Sequence, residues 1–284
     1  MPHTRGNPRI AYATHGESGP PVLLVMGLGM RGIVWRPQIE ILSEDHRLAT
    51  FDHRGVGDSD PPPGPFRMRD MAFDALRVAG ALGWQRFHLV GISMGGMVAQ
   101  EVALAAPERV ASLALIATQP GGPTGMIPTP GGLRDFASAI LGPRAGRLPA
   151  MERLLYPPEF LATVDRAELA RRLGDQAAEP ADRRVVLLQI AAVAGFDARH
   201  RLGEIVAPTL VVQPGRDALV RPGHAEVLAR GIPGARLHTF HDAGHGVAFQ
   251  HARPLSELLR AHIAEVEAVR PATSRRPGDL AASA

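Results

Sequence analysis

The first 118 residues alternate between short apolar runs and helix-patterned stretches, and no other feature restricts the fold as much. The runs are "PPVLLVMG", "HRLATFDHRG", "RFHLVGIS" and "RVASLALIAT". Runs this short and this continuously apolar read as strands buried on both faces. Between them, residues 36 to 44, 69 to 83 and 94 to 106 read as helices; in the second, Met71, Ala75, Val78 and Leu82 recur at helical spacing. Such alternation predicts right-handed βαβ units and a mostly parallel sheet flanked by helices, an α/β fold. "RIAYATHG" is different, because it alternates apolar with polar residues, and it is expected at a sheet edge.

The pattern stops near Gln119. "QPGGPTGMIPTPGG" reads as a loop, and residues 132 to 205 are helix-prone without a convincing strand. Sheet patterning resumes with "APTLVVQPGRD", a helix near 222 to 231, "ARLHTFHDAGHG" and a helix near 252 to 268. The expected organisation is a core built from residues 1–118 and 206–270, interrupted by a helical insertion at 119–205. Residues 271–284 carry too few apolar side chains to pack and are expected to be disordered.

Charge narrows the function classes. The 31 basic and 28 acidic residues are scattered rather than blocked, and every basic one is arginine. A net charge of +3 so distributed gives no footprint for nucleic acid or a membrane surface. With no cysteine there is no disulfide framework, thiolate nucleophile or cysteine metal site. The first twenty residues lack the apolar stretch of a secretory signal, and no apolar run approaches the ~18 residues of a membrane span. The expectation is a soluble cytoplasmic protein with no metal or cofactor; oligomeric state is not legible.

In "HLVGISMGGMVAQ" a strand runs into Ser93 between Gly91 and Gly95 and then into a helix. This is G-x-S-x-G in the setting its chemistry needs: a sharp turn that leaves a serine hydroxyl exposed at the head of a helix. A serine hydroxyl is a weak nucleophile at neutral pH, so it requires a base and a carboxylate to orient that base. His245, between two glycines after the last strand pattern, is the candidate base. The nearest competitor is His241, which reads better as exposed or structural. Asp217, in the loop after "TLVVQ", is the candidate acid, because ligand chemistry in open α/β sheets gathers at the carboxyl ends of strands. Asp52 also ends a strand, but it opens "DHRGVGDSD" and reads as turn-forming. Acyl transfer further needs backbone N–H groups aimed at an oxyanion. Met94, after the serine, and Leu28, between Gly27 and Gly29, are the candidates. Met26, Met30 and Met97 lie near these positions and suggest an adaptable apolar pocket wall, although methionine is equally ordinary core filler.

"LLVMGLGM", Trp35, "FDHRGVGDSD", "LVGISMGGMVAQ", "APTLVVQPGRD" and "GHG" together resemble the α/β-hydrolase superfamily over residues 9 to 268, in the subgroup with a helical cap after the sixth core strand. The resemblance implies that residues 119–205 are that cap, roofing the pocket. Within the superfamily the details look closest to the aclacinomycin methylesterase type, then the 3-oxoadipate enol-lactonases. The chain departs from the family in three places. The segment before "RIAYATHG" is short, so the first strand is expected to be missing or frayed. Met26 stands where many esterases have His, and Pro214 where Gly often precedes the acid. Serine rather than aspartate at the elbow argues against dehalogenase and epoxide hydrolase chemistry.

The expected activity is hydrolysis of a carboxylic ester or lactone of a small, largely apolar molecule through an acyl-enzyme on Ser93. One alternative is another reaction of this fold: C–C cleavage, acyl transfer, decarboxylation or cyclisation. The other is a non-catalytic small-molecule receptor.

Overall fold

The structure is a computed structural model that describes residues 1–123, 125, 128–177 and 181–269. The tail expected at 271–284 lies outside the described residues.

Seven strands form one sheet: β1 (Tyr12–His15), β2 (Pro21–Val25), β3 (Arg47–Phe51), β4 (Phe87–Ile92), β5 (Val110–Ile116), β6 (Thr209–Pro214) and β7 (Arg236–Phe240). Their spatial order is β1-β3-β2-β4-β5-β6-β7, with β1 antiparallel to β3 and every other pairing parallel. "RIAYATHG" thus supplies the expected edge strand, preceded only by an isolated antiparallel bridge between His3 and Ala11.

The helices are α1 (Arg36–Leu42), α2 (Met68–Ala81), α3 (Met94–Ala105), α4 (Pro130–Leu141), α5 (Arg144–Leu155), α6 (Pro158–Thr163), α7 (Arg166–Ala177), α8 (Arg183–Ala194), α9 (Gly223–Gly231), α10 (Val247–Gln250) and α11 (Ala252–Val269). The helical segment α4–α8 lies between β5 and β6, so along this chain it follows the fifth strand.

Continuous apolar strands are explained by helices on both faces. Side chains of a strand point alternately up and down. Leu23, Leu89, Leu113 and Val211 therefore join Met71, Val78, Val98 and Val102 in one core cluster. Their neighbours Leu24, Val90, Ala114 and Val212 join Trp35, Leu42, Leu255 and Leu259 in a second cluster on the opposite face. A one-residue slip of any central strand would exchange the two sets. Because both are apolar, register depends on fit rather than on polarity alone.

Strand order reverses between β2 and β4: after β2 the chain adds β3 on one side, then crosses to place β4 on the other. At such a switch point the loops leaving the two strands diverge and open a crevice at their carboxyl ends. The loop after β2 begins at Met26, and the turn after β4 is Ser93. Among the described residues no helix is long and apolar enough to cross a membrane.

Candidate active site

The turn at Ser93 is built from its neighbours. Ser93 has φ 56° and ψ −125°, a left-handed conformation suited to glycine that a serine adopts only under constraint. The constraint is visible on both sides. Ser93 N–H donates to the Ile116 carbonyl at 2.9 Å, while the Ser93 carbonyl accepts from Thr118 Oγ1 at 2.7 Å and Gly96 N–H at 2.9 Å. Gly95 is required by close approach, since a Cβ there would sit 2.2 Å from the Val25 carbonyl oxygen. The glycine lets α3 start directly against the end of β2, which points Ser93 Oγ into the crevice.

His245 and Asp217 arrive from the loops after β7 and β6. His245 Nε2 accepts from Ser93 Oγ at 3.0 Å, and Nδ1–H donates to Asp217 Oδ2 at 2.7 Å. The other carboxylate oxygen, Oδ1, accepts the N–H groups of Leu219 and Val220, each at 2.8 Å. Asp217 is 3% exposed and His245 6%, so little water competes for these bonds. The two backbone donors hold the carboxylate in place, and the carboxylate in turn fixes which imidazole nitrogen carries the proton. Pro214 ends β6 without disturbing this loop. His241 is exposed, as expected of a residue without a role here.

The helical segment reaches each of these loops. Gly246 N–H donates to the Leu155 carbonyl at 2.8 Å, and a Cβ on Gly246 would meet the Tyr156 ring at 2.3 Å, which accounts for a glycine beside His245. On the acid loop, the Ala218 carbonyl accepts from Thr129 N–H at 3.0 Å and Thr129 Oγ1 at 3.1 Å. In the loop after β2, Gly29 N–H donates to Gln189 Oε1 of α8 at 2.7 Å.

Met94 is the first residue of α3, so its N–H is among the leading helical donors that have no partner within the helix. Leu28 lines the same cavity as Ser93, and Gly27 passes so close that a Cβ on it would lie 3.2 Å from Ser93 Cβ. The preceding carbonyl, of Met26, accepts from His53 Nε2–H at 2.8 Å. Burial pushes His53 down to about 4 from the ordinary 6.5, and the cationic Arg54 adds to this against the opposing pull of that carbonyl. Neutral, with Nε2 protonated, His53 braces the strand exit. Its role was not evident from the sequence, although it lies inside the quoted "FDHRGVGDSD". Asp52, next to it, behaves as expected of a turn-former: Oδ1 accepts Gly32 N–H at 2.7 Å and Oδ2 accepts Asp58 N–H at 3.1 Å.

A cavity of about 130 Å³ opens over Ser93 and His245. Its walls are Met26, Leu28, Met30 and Ile92 from the sheet side, with Ala248 and Phe249 beyond His245. Phe136, Ala139 and Ile140 of α4 and Met151, Leu154 and Leu155 of α5 close it opposite. Met97 is a correction to the sequence reading. It is 3% exposed and packs with Val98 and Val102 in the core cluster, not among the residues lining this cavity. Met97 is three residues after Met94 and shares its helix face, which is buried against the core, while Ser93 sits before the helix at the turn.

This arrangement has recognisable company. The sequence profile of a family described as alpha/beta hydrolase fold matches residues 20–252, which include Ser93, Asp217 and His245. A protein of Azorhizobium caulinodans named "Putative carbamate hydrolase RutD" is 34% identical over 274 residues, covering 94% of this chain and 100% of its own. A thermophilic esterase from Thermogutta terrifontis superposes with a TM-score of 0.78 at 27% identity, over 93% of this chain and 97% of its own. An enol-lactonase from Burkholderia xenovorans LB400 gives 0.80 at 24% identity, over 93% and 100%, and speaks for the fold alone. A mostly parallel sheet with a serine elbow at its switch point, matched by the profile over most of its length, shows that the chain belongs to the α/β-hydrolase fold family.

Proposed function

We propose that this protein is a cofactor-independent serine hydrolase acting on a carboxylic ester or lactone with a compact apolar group. The observation that carries this reading is the relay from Asp217 through His245 to Ser93, at 2.7 and 3.0 Å. In the reaction His245 Nε2 takes the Ser93 proton as Oγ attacks the carbonyl carbon. The developing oxyanion is met by the N–H groups of Leu28 and Met94, and Asp217 stabilises the imidazolium. Collapse protonates the departing alcohol from His245 and leaves an acyl-serine. Water, deprotonated by the same imidazole, then releases the acid and restores Ser93.

Residues 119–205 act as a cap in this reading, with α4 and α5 setting what fits. Among the described residues, only Ser93, His245 and Tyr156 bring side-chain nitrogen or oxygen to the cavity lining. At about 130 Å³ the space is close to the ~150 Å³ apolar cavity known to hold a benzene ring, so an acyl or alcohol portion of about six non-hydrogen atoms matches it. The relatives named for carbamate hydrolysis favour a second reading, a small carbamate cleaved by the same relay. The ester or lactone is preferred because the described walls offer an N–H-bearing carbamate few side-chain acceptors, and burying an unpaired polar group is costly.

The test is labelling by a fluorophosphonate together with turnover of p-nitrophenyl esters and an aryl carbamate. Parent protein is expected to label once and to hydrolyse the esters faster, while Ser93→Ala loses both labelling and turnover with its fold intact. Undiminished labelling of that variant would sink the assignment.

A further inference from the structure

Gln189 sits on α8, fully buried, and its two amide atoms are treated very differently. Oε1 accepts Gly29 N–H at 2.7 Å, whereas Nε2 is buried with no hydrogen-bond partner among the described residues. Reversing the amide does not help, because Gly29 N–H needs an acceptor and would then face a donor. A carboxamide held this way is a poor packing residue. An apolar side chain of the same shape would fill the space without burying an unsatisfied donor. Packing therefore does not explain the residue, and its bond to Gly29 does.

Gly29 has φ +68°, a conformation in which the chain doubles back directly after Leu28. Its N–H belongs to the rigid peptide plane joining Leu28 to Gly29. Leu28 N–H belongs to the plane just before it, and only the two backbone angles of Leu28 relate them. The entry to the loop is pinned by His53 at the Met26 carbonyl, at 2.8 Å. The exit is pinned by Gln189. The nearest side chain that a Cβ on Gly29 would touch is also from α8, Val186, at 3.5 Å.

We propose that Gln189 is a positioning residue for the oxyanion donor at Leu28: by holding the Leu28–Gly29 peptide from α8, it aims Leu28 N–H at the carbonyl oxygen under attack by Ser93. This rests on the serine-hydrolase reading above. It goes beyond that reading because it makes the helical segment part of the catalytic geometry and not only the wall of the pocket. Removing an oxyanion-hole donor outright costs about 10²–10³ in kcat. Loss of its orientation is smaller, about 10- to 100-fold.

The experiment compares Gln189→Met, Gln189→Asn and Gln189→Glu in the full chain, with a short-chain p-nitrophenyl ester as substrate. Methionine keeps the volume and removes the oxygen, and asparagine withdraws the same amide by one methylene, so the test does not depend on one variant folding. Buried glutamate in its acid form keeps a carbonyl for Gly29 N–H. The expected result is a kcat loss of about 10- to 100-fold in Met and Asn with KM within about twofold, and recovery of most of the rate in Glu. A trifluoromethyl ketone, whose adduct with Ser93 carries the oxyanion, should lose affinity by the same factor as kcat, while the product acid binds as before. A rise in KM at constant kcat, or a fall in kcat with unchanged ketone affinity, overturns the role. Turnover surviving in Ser93→Ala instead defeats the underlying hydrolase reading, so the two failures are distinguishable.

Discussion

Replacing Ser93 by glycine should give a dead but more stable protein than replacing it by alanine. Neither variant has an Oγ, so both lose the 3.0 Å bond to His245 equally, and their difference reports the backbone. Ser93 lies at φ 56°, ψ −125°, close to the first central position of a type II′ turn, which glycine occupies freely and a residue with a Cβ does not. Holding a non-glycine residue in such a region costs about 1–3 kcal/mol. Glycine gives back about 0.4–1 kcal/mol through the greater freedom of its unfolded chain. The alanine methyl, on a half-buried residue, recovers a few tenths more. A net advantage of about 1 kcal/mol for Ser93→Gly remains, which in a chain of 284 residues is a rise in Tm of roughly 2 °C. Reversible urea unfolding of the two variants, side by side at neutral pH, measures it. Equal midpoints, or a more stable alanine variant, would refute the claim that the elbow stores backbone strain.

Two other predictions probe the surroundings. Because folded His53 takes up a proton only near pH 4 while the unfolded residue does so near 6.5, the unfolded state binds more protons between those values. Stability from this residue is therefore complete above 6.5 and is lost as pH falls, by ~2 kcal/mol at pH 5 and ~3 kcal/mol at and below pH 4. Urea midpoints of parent and His53→Gln at pH 7.5 and 5 isolate its share from that of other histidines; parallel losses in the two proteins would contradict it. Ala139→Phe extends a ring from α4 into the cavity of about 130 Å³ and should shift the preferred ester toward shorter acyl groups. At about 1–3 kcal/mol per misplaced methylene, kcat/KM for hexanoate should drop tenfold or more while acetate changes little; an unchanged chain-length profile would place the acyl group elsewhere.

What the sequence revealed and what it hid differ in range. The strands and helices of the sheet region were legible because their signals are local: continuous apolar runs, helical spacing, and glycines where backbones touch. Ser93, Asp217 and His245 were legible because each lies in a turn or loop that follows a strand, and the carboxyl ends of strands converge once the sheet forms. Met97 was misplaced for the opposite reason. Ser93 stands outside the helix at the turn and points into the crevice, whereas Met97 lies on the same helix face as Met94, three residues before it, and that face is buried in the core. Gln189 was out of reach altogether, being 160 residues from Gly29, with nothing in "DRRVVLLQIAAVA" to mark one glutamine among apolar neighbours.

The contrast bears on how the site works. Ser93, Asp217 and His245 sit in loops that follow strands and are announced by local motifs, whereas three hydrogen bonds that tie the surrounding loops to the helical segment are not. Thr129 holds the acid loop, the Leu155 carbonyl holds the histidine loop, and Gln189 holds the loop after β2. Each is a hydrogen bond to a backbone group and none requires a particular substrate. None of the three involves the side chains of Phe136, Ala139, Ile140 or Met151, so the segment can change its pocket lining there without breaking these attachments to the proposed catalytic loops.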